Sequence, residues 1–116
     1  MKKFNNYLQK ALQNGGLTIH RNGTIVNYKR GYQVSVRDCY KLRVENAERV
    51  VKAIERVMGV IKSAKKEYFC GLWVDGGYIY IDISVRILDR LDAVIIGDRL
   101  NQKSIFDWAN CDCIYL

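Results

Sequence analysis

The amino-acid sequence predicts an α+β fold, a single domain over residues 1–116 in which an antiparallel sheet built from hairpins carries helices packed on one face. Three observations lead there. An apolar period of three and four residues runs from Val44 to about Lys66, a two-residue alternation runs from Tyr78 to Val85, and glycine-bearing turns separate short β-prone runs.

The first element is a helix in "FNNYLQKALQNGG", where Phe4, Leu8 and Leu12 recur at every fourth residue beside Tyr7 and Ala11. Gly15 and Gly16 stop it. "LTIHRNGTIV" follows as two β-prone runs around Asn22-Gly23, a pair suited to a type I′ turn, and predicts a hairpin. Gly31 then breaks the chain before "YQVSV", in which Tyr32, Val34 and Val36 alternate with Gln33, Ser35 and Arg37 as in a half-buried strand.

The long helix comes next. Val44, Ala47, Val51, Ile54, Met58 and Ile61 form its apolar stripe, and Val50 and Val57 widen it to the breadth of a core-facing helix. Its opposite side carries Glu45, Arg49, Lys52 and Arg56, and continues to Lys62, Lys65 and Lys66. Glu45 with Arg49, and Glu48 with Lys52, stand four apart in the order that favours pairing, so much of this stripe is expected to be self-paired and solvated.

In "GLWVDGGYIYIDIS" (71–84), Leu72-Trp73-Val74 and the run from Tyr78 to Val85 flank Asp75-Gly76-Gly77, the sequence of a tight hairpin. Ile79, Ile81, Ile83 and Val85 share one face of the second strand, and Tyr78, Tyr80, Asp82 and Ser84 the other. Asp82 therefore belongs to the polar, aromatic face that a sheet shows to water or to a partner. A general acid or base would need a second titratable group within reach, and none is evident in the sequence. Asp89 can cap a further helix bearing Leu91, Val94, Ile95 and Leu100, with Gly97 a weak point near its middle. A strand from about Ser104, a turn at Asn110 and the closing strand "CIYL" complete the chain.

Composition narrows the class of function. Hydrophobic residues make up 49% and charged residues 27%, as in soluble globular chains. Ala93 to Ile96 is the longest aliphatic run, far short of the roughly 20 residues of a membrane span. The lysines of "MKKFNNYLQK" have no apolar segment behind them, so the expected location is the cytoplasm, with no membrane contact. Residues 1–66 hold 15 Lys and Arg against 4 Asp and Glu, and residues 67–116 hold 4 against 8. Balances of +11 and −4 make up the net +7 and suit a charged partner.

Chemical motifs are scarce. Cys39, Cys70, Cys111 and Cys113 contain one close pair where a zinc site commonly has two, so free thiols are expected and no metal or other cofactor is implied. His20 is the sole histidine and has no identifiable relay partner. No phosphate-binding glycine loop, HExxH or deaminase pattern occurs, and no catalytic residue is assigned.

The order G-Y-x-V (Gly31, Tyr32), then W-V-D-x-G-x-x-Y-x-D-x-S (Trp73, Asp75, Gly77, Tyr80, Asp82, Ser84), then N-Q-x-x-I-x-D (Asn101, Gln102, Asp107) resembles a group of small accessory proteins of phages and other mobile elements. The likeness covers roughly residues 15–110 and brings no established activity with it. What it implies is a genomic setting, in which such proteins deal with the host's nucleic-acid machinery or its defences.

Three functional classes follow. The first is a non-enzymatic inhibitor or modulator of a host defence protein or nucleoprotein complex, in the manner of an anti-CRISPR protein, acting as a monomer or homodimer. The second is a nucleic-acid-binding accessory protein, with the basic helix on phosphates and Tyr78 or Tyr80 stacked on bases. The third and weakest is a small enzyme using Asp82 and Asp107. The residues expected to meet a partner are Arg49, Lys52, Arg56, Lys62, Lys65, Lys66, Tyr78, Tyr80 and Asp82.

Overall fold

The computed structural model describes residues 2–116. Its elements run α1 (Lys2–Asn14), β1 (Gly16–His20), β2 (Tyr32–Arg43), α2 (Ala47–Ser63), β3 (Phe69–Asp75), β4 (Tyr78–Ile87), α3 (Arg90–Arg99), β5 (Ser104–Asp107) and β6 (Asp112–Tyr115). The strands form one antiparallel sheet in the order β1-β3-β4-β2-β5-β6. The fold is α+β, as the sequence predicts.

Local chemistry explains where the elements stop. Gly15 ends α1 at a positive φ of 80°, and its N–H donates to the Ala11 carbonyl at 2.8 Å. Gly76 and Gly77, at φ 57° and 81°, turn β3 into β4 as a type I′ hairpin requires. Asp89 caps α3 by accepting from the Asp92 N–H at 3.0 Å.

The three helices cover one face of the sheet. Beneath α1 and α2, Tyr7, Leu8 and Ala11 meet Val50, Ile54, Met58 and Ile61 over a floor of Leu72, Ile79 and Ile81. Beneath α3 lies a smaller cluster of Val34, Ala93 and Ile105, with Val85 packed against it. The predicted stripe is buried from Val50 to Ile61, whereas Ala47 at the start of α2 is exposed and Val44 lies half-buried in the turn before it; Arg49, Lys52 and Arg56 point outward. In α3 the outcome differs. Only Ala93 and Gly97 are buried, and Leu91 and Ile95 are exposed. Gly97 is a contact point: a Cβ there would crowd the side chains of Leu116 and Ile105, so its absence brings the helix close to the sheet.

Two other expectations shift. The residues after Asn22-Gly23 form a single bridge, Ile19 to Ile25, in place of a second strand. β2 runs on to Arg43, seven residues past the alternating "YQVSV". Its pairing with β4 slips between Ser35 and Arg37 and again between Asp38 and Tyr40, so Val36 and Cys39 are extra residues. Each bulge resets the alternation of side chains, which hides the strand from a two-residue reading. Bulges also bend a strand. Trp73 of β3 and Phe106 of β5 meet with ring centroids 5.5 Å apart, although β4 and β2 lie between them, a span of about 14 Å in a flat sheet. The helix-free face is the concave one.

Candidate functional site

The concave face has a polar floor. Thr18, Gln33, Asp82 and Ser84 are all buried there. Gln33 is fixed at both ends, since its Nε2 donates to Ser84 Oγ at 2.9 Å and its Oε1 accepts from Trp108 Nε1 at 3.0 Å. Tyr28, from the loop after β1, packs edge-on against Phe69 and Trp108 and receives the Arg86 guanidinium at 3.9 Å from its ring centroid. That loop closes one end of the concavity. The rest stays open as a cavity of about 690 Å³, with Ser35, Asp38, Trp73, Asp75, Tyr80, Asp82 and the Asn101–Ser104 loop among its lining residues. Trp73 and Phe106 also line a neighbouring cavity of about 460 Å³ beside Trp108 and Cys113.

Asp82 is the unusual member. It is 8% exposed, so it does not face water as its place on the polar side of β4 suggested. Its Oδ1 has no hydrogen-bond partner. Burial pushes its carboxyl up to about 7, and Asp38 opposite on β2 adds to the rise. The Ser35 hydroxyl, the Gly71 N–H and the Trp73 indole pull the other way without satisfying Oδ1. Asp38 is thus the second titratable group that the sequence did not reveal. Its carboxylate accepts from Ser35 Oγ at 3.3 Å.

The remaining expected partner residues fall into two sets on opposite faces. Arg49, Lys52, Arg56 and Lys62 lie exposed on α2, and Lys65 and Lys66 follow it, also exposed. Arg49, Lys52 and Arg56 line a shallow groove with Tyr40 and Leu42. Glu48 pairs with Lys52 at 3.6 Å. Glu45 instead binds Arg43 at 2.6 Å, because α2 starts at Ala47 and leaves Glu45 in the preceding turn. Arg49 therefore lacks the helical partner expected for it. Tyr78 and Tyr80 are half-buried on the far side of the sheet, where Lys41 Nζ lies 4.6 Å from the Tyr78 ring centroid and 5.6 Å from that of Tyr80. Arg43 also reaches the Tyr78 hydroxyl, at 3.3 Å. The two tyrosines are engaged by the chain's own cations, and they cannot extend the basic surface of α2.

His20 Nε2 lies 3.0 Å from Glu67 Oε2. The cysteines are free and dispersed, with Cys70 buried and Cys111 exposed. Among the described residues no group of three or more His, Cys, Asp or Glu side chains is placed to hold a metal ion. No described helix is long and apolar enough to cross a membrane.

Sequence reasoning passed over Gln33, Ser35, Asp38, Phe106 and Trp108. Gln33 and Ser35 fell on the polar side of the predicted "YQVSV" strand, the bulge at Val36 hid Asp38 beyond it, and Phe106 and Trp108 sit in and just after the short strand β5. Of the eleven residues of the sequence pattern, Gly31, Tyr32, Gly77 and Asp107 are not among those lining the larger cavity. Trp73, Asp75, Tyr80, Asp82, Ser84, Asn101 and Gln102 all line the larger cavity. Comparison with protein-family models, curated proteins and solved structures returns no match for this chain.

Proposed function

We propose that this protein is a non-enzymatic mobile-element accessory protein that binds a host defence nucleoprotein complex and inhibits or modulates it, using the outward face of α2. One observation carries the reading. Among the described residues, Lys52 is the single basic residue of α2 in an ion pair, so Arg49, Arg56 and Lys62 are left to meet an external anion. The groove that Arg49, Lys52 and Arg56 share with Tyr40 adds an aromatic wall to that charge. Such a surface suits phosphates or a carboxylate-rich protein face. The likeness of the sequence to mobile-element accessory proteins supplies the biological setting.

The test is the double reversal Lys52→Glu/Arg56→Glu, assayed for binding to defence complexes and to free DNA and RNA across a salt series. Loss of binding to the complex, with weak and salt-insensitive behaviour toward free nucleic acid, supports the proposal. Tight binding to free nucleic acid that falls steeply with salt supports the alternative, a nucleic-acid-binding accessory protein, because phosphate contacts release counterions. Undiminished binding after the reversal removes α2 as the interface.

A further inference from the structure

The concave cavity lies on the face away from α2, so its chemistry is independent of the partner proposed for that helix. Its size falls within the range of small-ligand sites, about 300–1,000 Å³. Its lining is markedly one-signed. Asp38, Asp75 and Asp82 contribute carboxylates, and Lys103 at the rim is the one basic residue. At the floor, Asp82 is more than nine-tenths buried with Oδ1 unpartnered. A buried carboxylate oxygen without a donor is costly and is usually satisfied.

Three classes of occupant fit poorly. An anion would face three carboxylates. A purely apolar ligand would leave Oδ1 as unsatisfied as before. A metal ion would lack a ligand set, because the described residues gather no suitable group of three. A cation rich in N–H donors meets each feature. Its charge offsets the carboxylates, including Asp82, whose Oδ1 lies buried against Gly71, its donors meet the polar groups of the lining, and its flat or alkyl faces contact Trp73, Tyr80 and Phe106. Lys41, resting over Tyr78 and Tyr80, shows that aromatic rings on this face already accept a cation.

We propose that the concavity binds a guanidinium or alkylammonium group, with Asp82 as the acceptor at its floor and Trp73, Tyr80 and Phe106 as its walls. The group can arrive on an arginine or lysine side chain of a protein segment or on a free small molecule. Both sources share this chemistry.

The experiment uses the full chain at pH 8 and follows the Trp73 indole N–H by NMR during titration with agmatine, with a short peptide bearing one arginine, and with the same peptide bearing neutral citrulline in its place. Saturable shifts with agmatine assign a free small cation, and shifts with the arginine peptide alone assign a side chain of a protein segment. In either case Asp82→Asn is expected to weaken binding at least about tenfold, as the loss of a charge-assisted contact implies. Gly71→Ala is a second variant, placed to push the carboxylate out of position while keeping its charge, and is expected to weaken binding as well. Equal affinity for the citrulline peptide overturns the proposal, as does undiminished binding by a folded Asp82→Asn variant. An absence of saturable shifts with both cationic probes overturns it too. None of these readings depends on Lys52 or Arg56, so failure here and failure of the α2 interface are separate results.

Discussion

Gly71 faces Asp82 across the β3–β4 ladder, and the space that a side chain would fill at Gly71 is occupied by the Asp82 carboxylate. A Cβ built on Gly71 falls inside contact distance of Oδ1. The glycine is needed for close approach and not for backbone freedom, since it does not adopt a positive φ. Gly71→Ala should therefore destabilise the fold by about 1–3 kcal/mol through overpacking. In an Asp82→Ser background the same change should cost clearly less, and denaturant unfolding of the four chains measures that coupling. Equal costs in both backgrounds would show that the crowding lies elsewhere.

Asp82 also makes stability depend on pH in a stated direction. Burial, with Asp38 second in sign-consistent effect, raises its pKa from 3.8 to about 7. The folded chain holds this proton more tightly than the unfolded one, so the associated stability is complete below about pH 4 and is lost as pH rises to about 7. Asp82→Asn, which resembles the protonated form, should stabilise the protein at pH 8 by an amount of up to about 4 kcal/mol. Near pH 3 the gain should vanish. Unfolding curves at the two pH values decide this, and a gain of the same size at both would mean that Asp82 is not held protonated by its surroundings.

The buried amide of Gln33 joins Ser84 to Trp108. Gln33→Leu keeps most of the volume but removes both partners, leaving the indole N–H without its acceptor. A loss of about 1–3 kcal/mol is expected. Trp108→Phe in the Gln33→Leu background should recover part of it, because the stranded donor is then gone. A lack of recovery in thermal or chemical unfolding would place the cost in packing alone.

The two sides of α2 should respond differently. Ile54 is fully buried in the core beneath α1 and α2, so Ile54→Ala should cost about 2–5 kcal/mol. Lys52→Glu/Arg56→Glu should change stability by no more than about 1 kcal/mol, since the one pair that it breaks is exposed. A large loss from the reversal would reveal a structural role for these cations.

Thiol chemistry should follow burial. Cys111 is exposed, whereas Cys70 is buried and its thiol is pushed well above the ordinary range by desolvation first and by Asp82 second. A thiol-reactive probe should label Cys111 early and Cys70 only on unfolding. Chelators should leave the melting temperature unchanged, because removal of a structural zinc would lower it. Stoichiometric zinc, or rapid labelling of Cys70 in the folded protein, would contradict this.

What the sequence by itself determined is what local periodicity encodes. The stripe from Val50 to Ile61 marked the core face of α2, Asp75-Gly76-Gly77 marked the β3–β4 turn, and Asp89 marked the start of α3, because each depends on residues a few positions apart. The tertiary structure decided the rest. Two bulges in β2 broke the alternation that would have revealed the strand to Arg43, and with it the placement of Asp38 against Asp82. The boundary of α2 at Ala47 sent Glu45 to Arg43 and not to Arg49, a difference of a few residues that periodicity does not resolve. Curvature brought Trp73 to Phe106 and turned the polar side of β4 into the floor of a cavity. Burial and curvature arise from strands distant in sequence closing on one another, so no short stretch of the chain carries them.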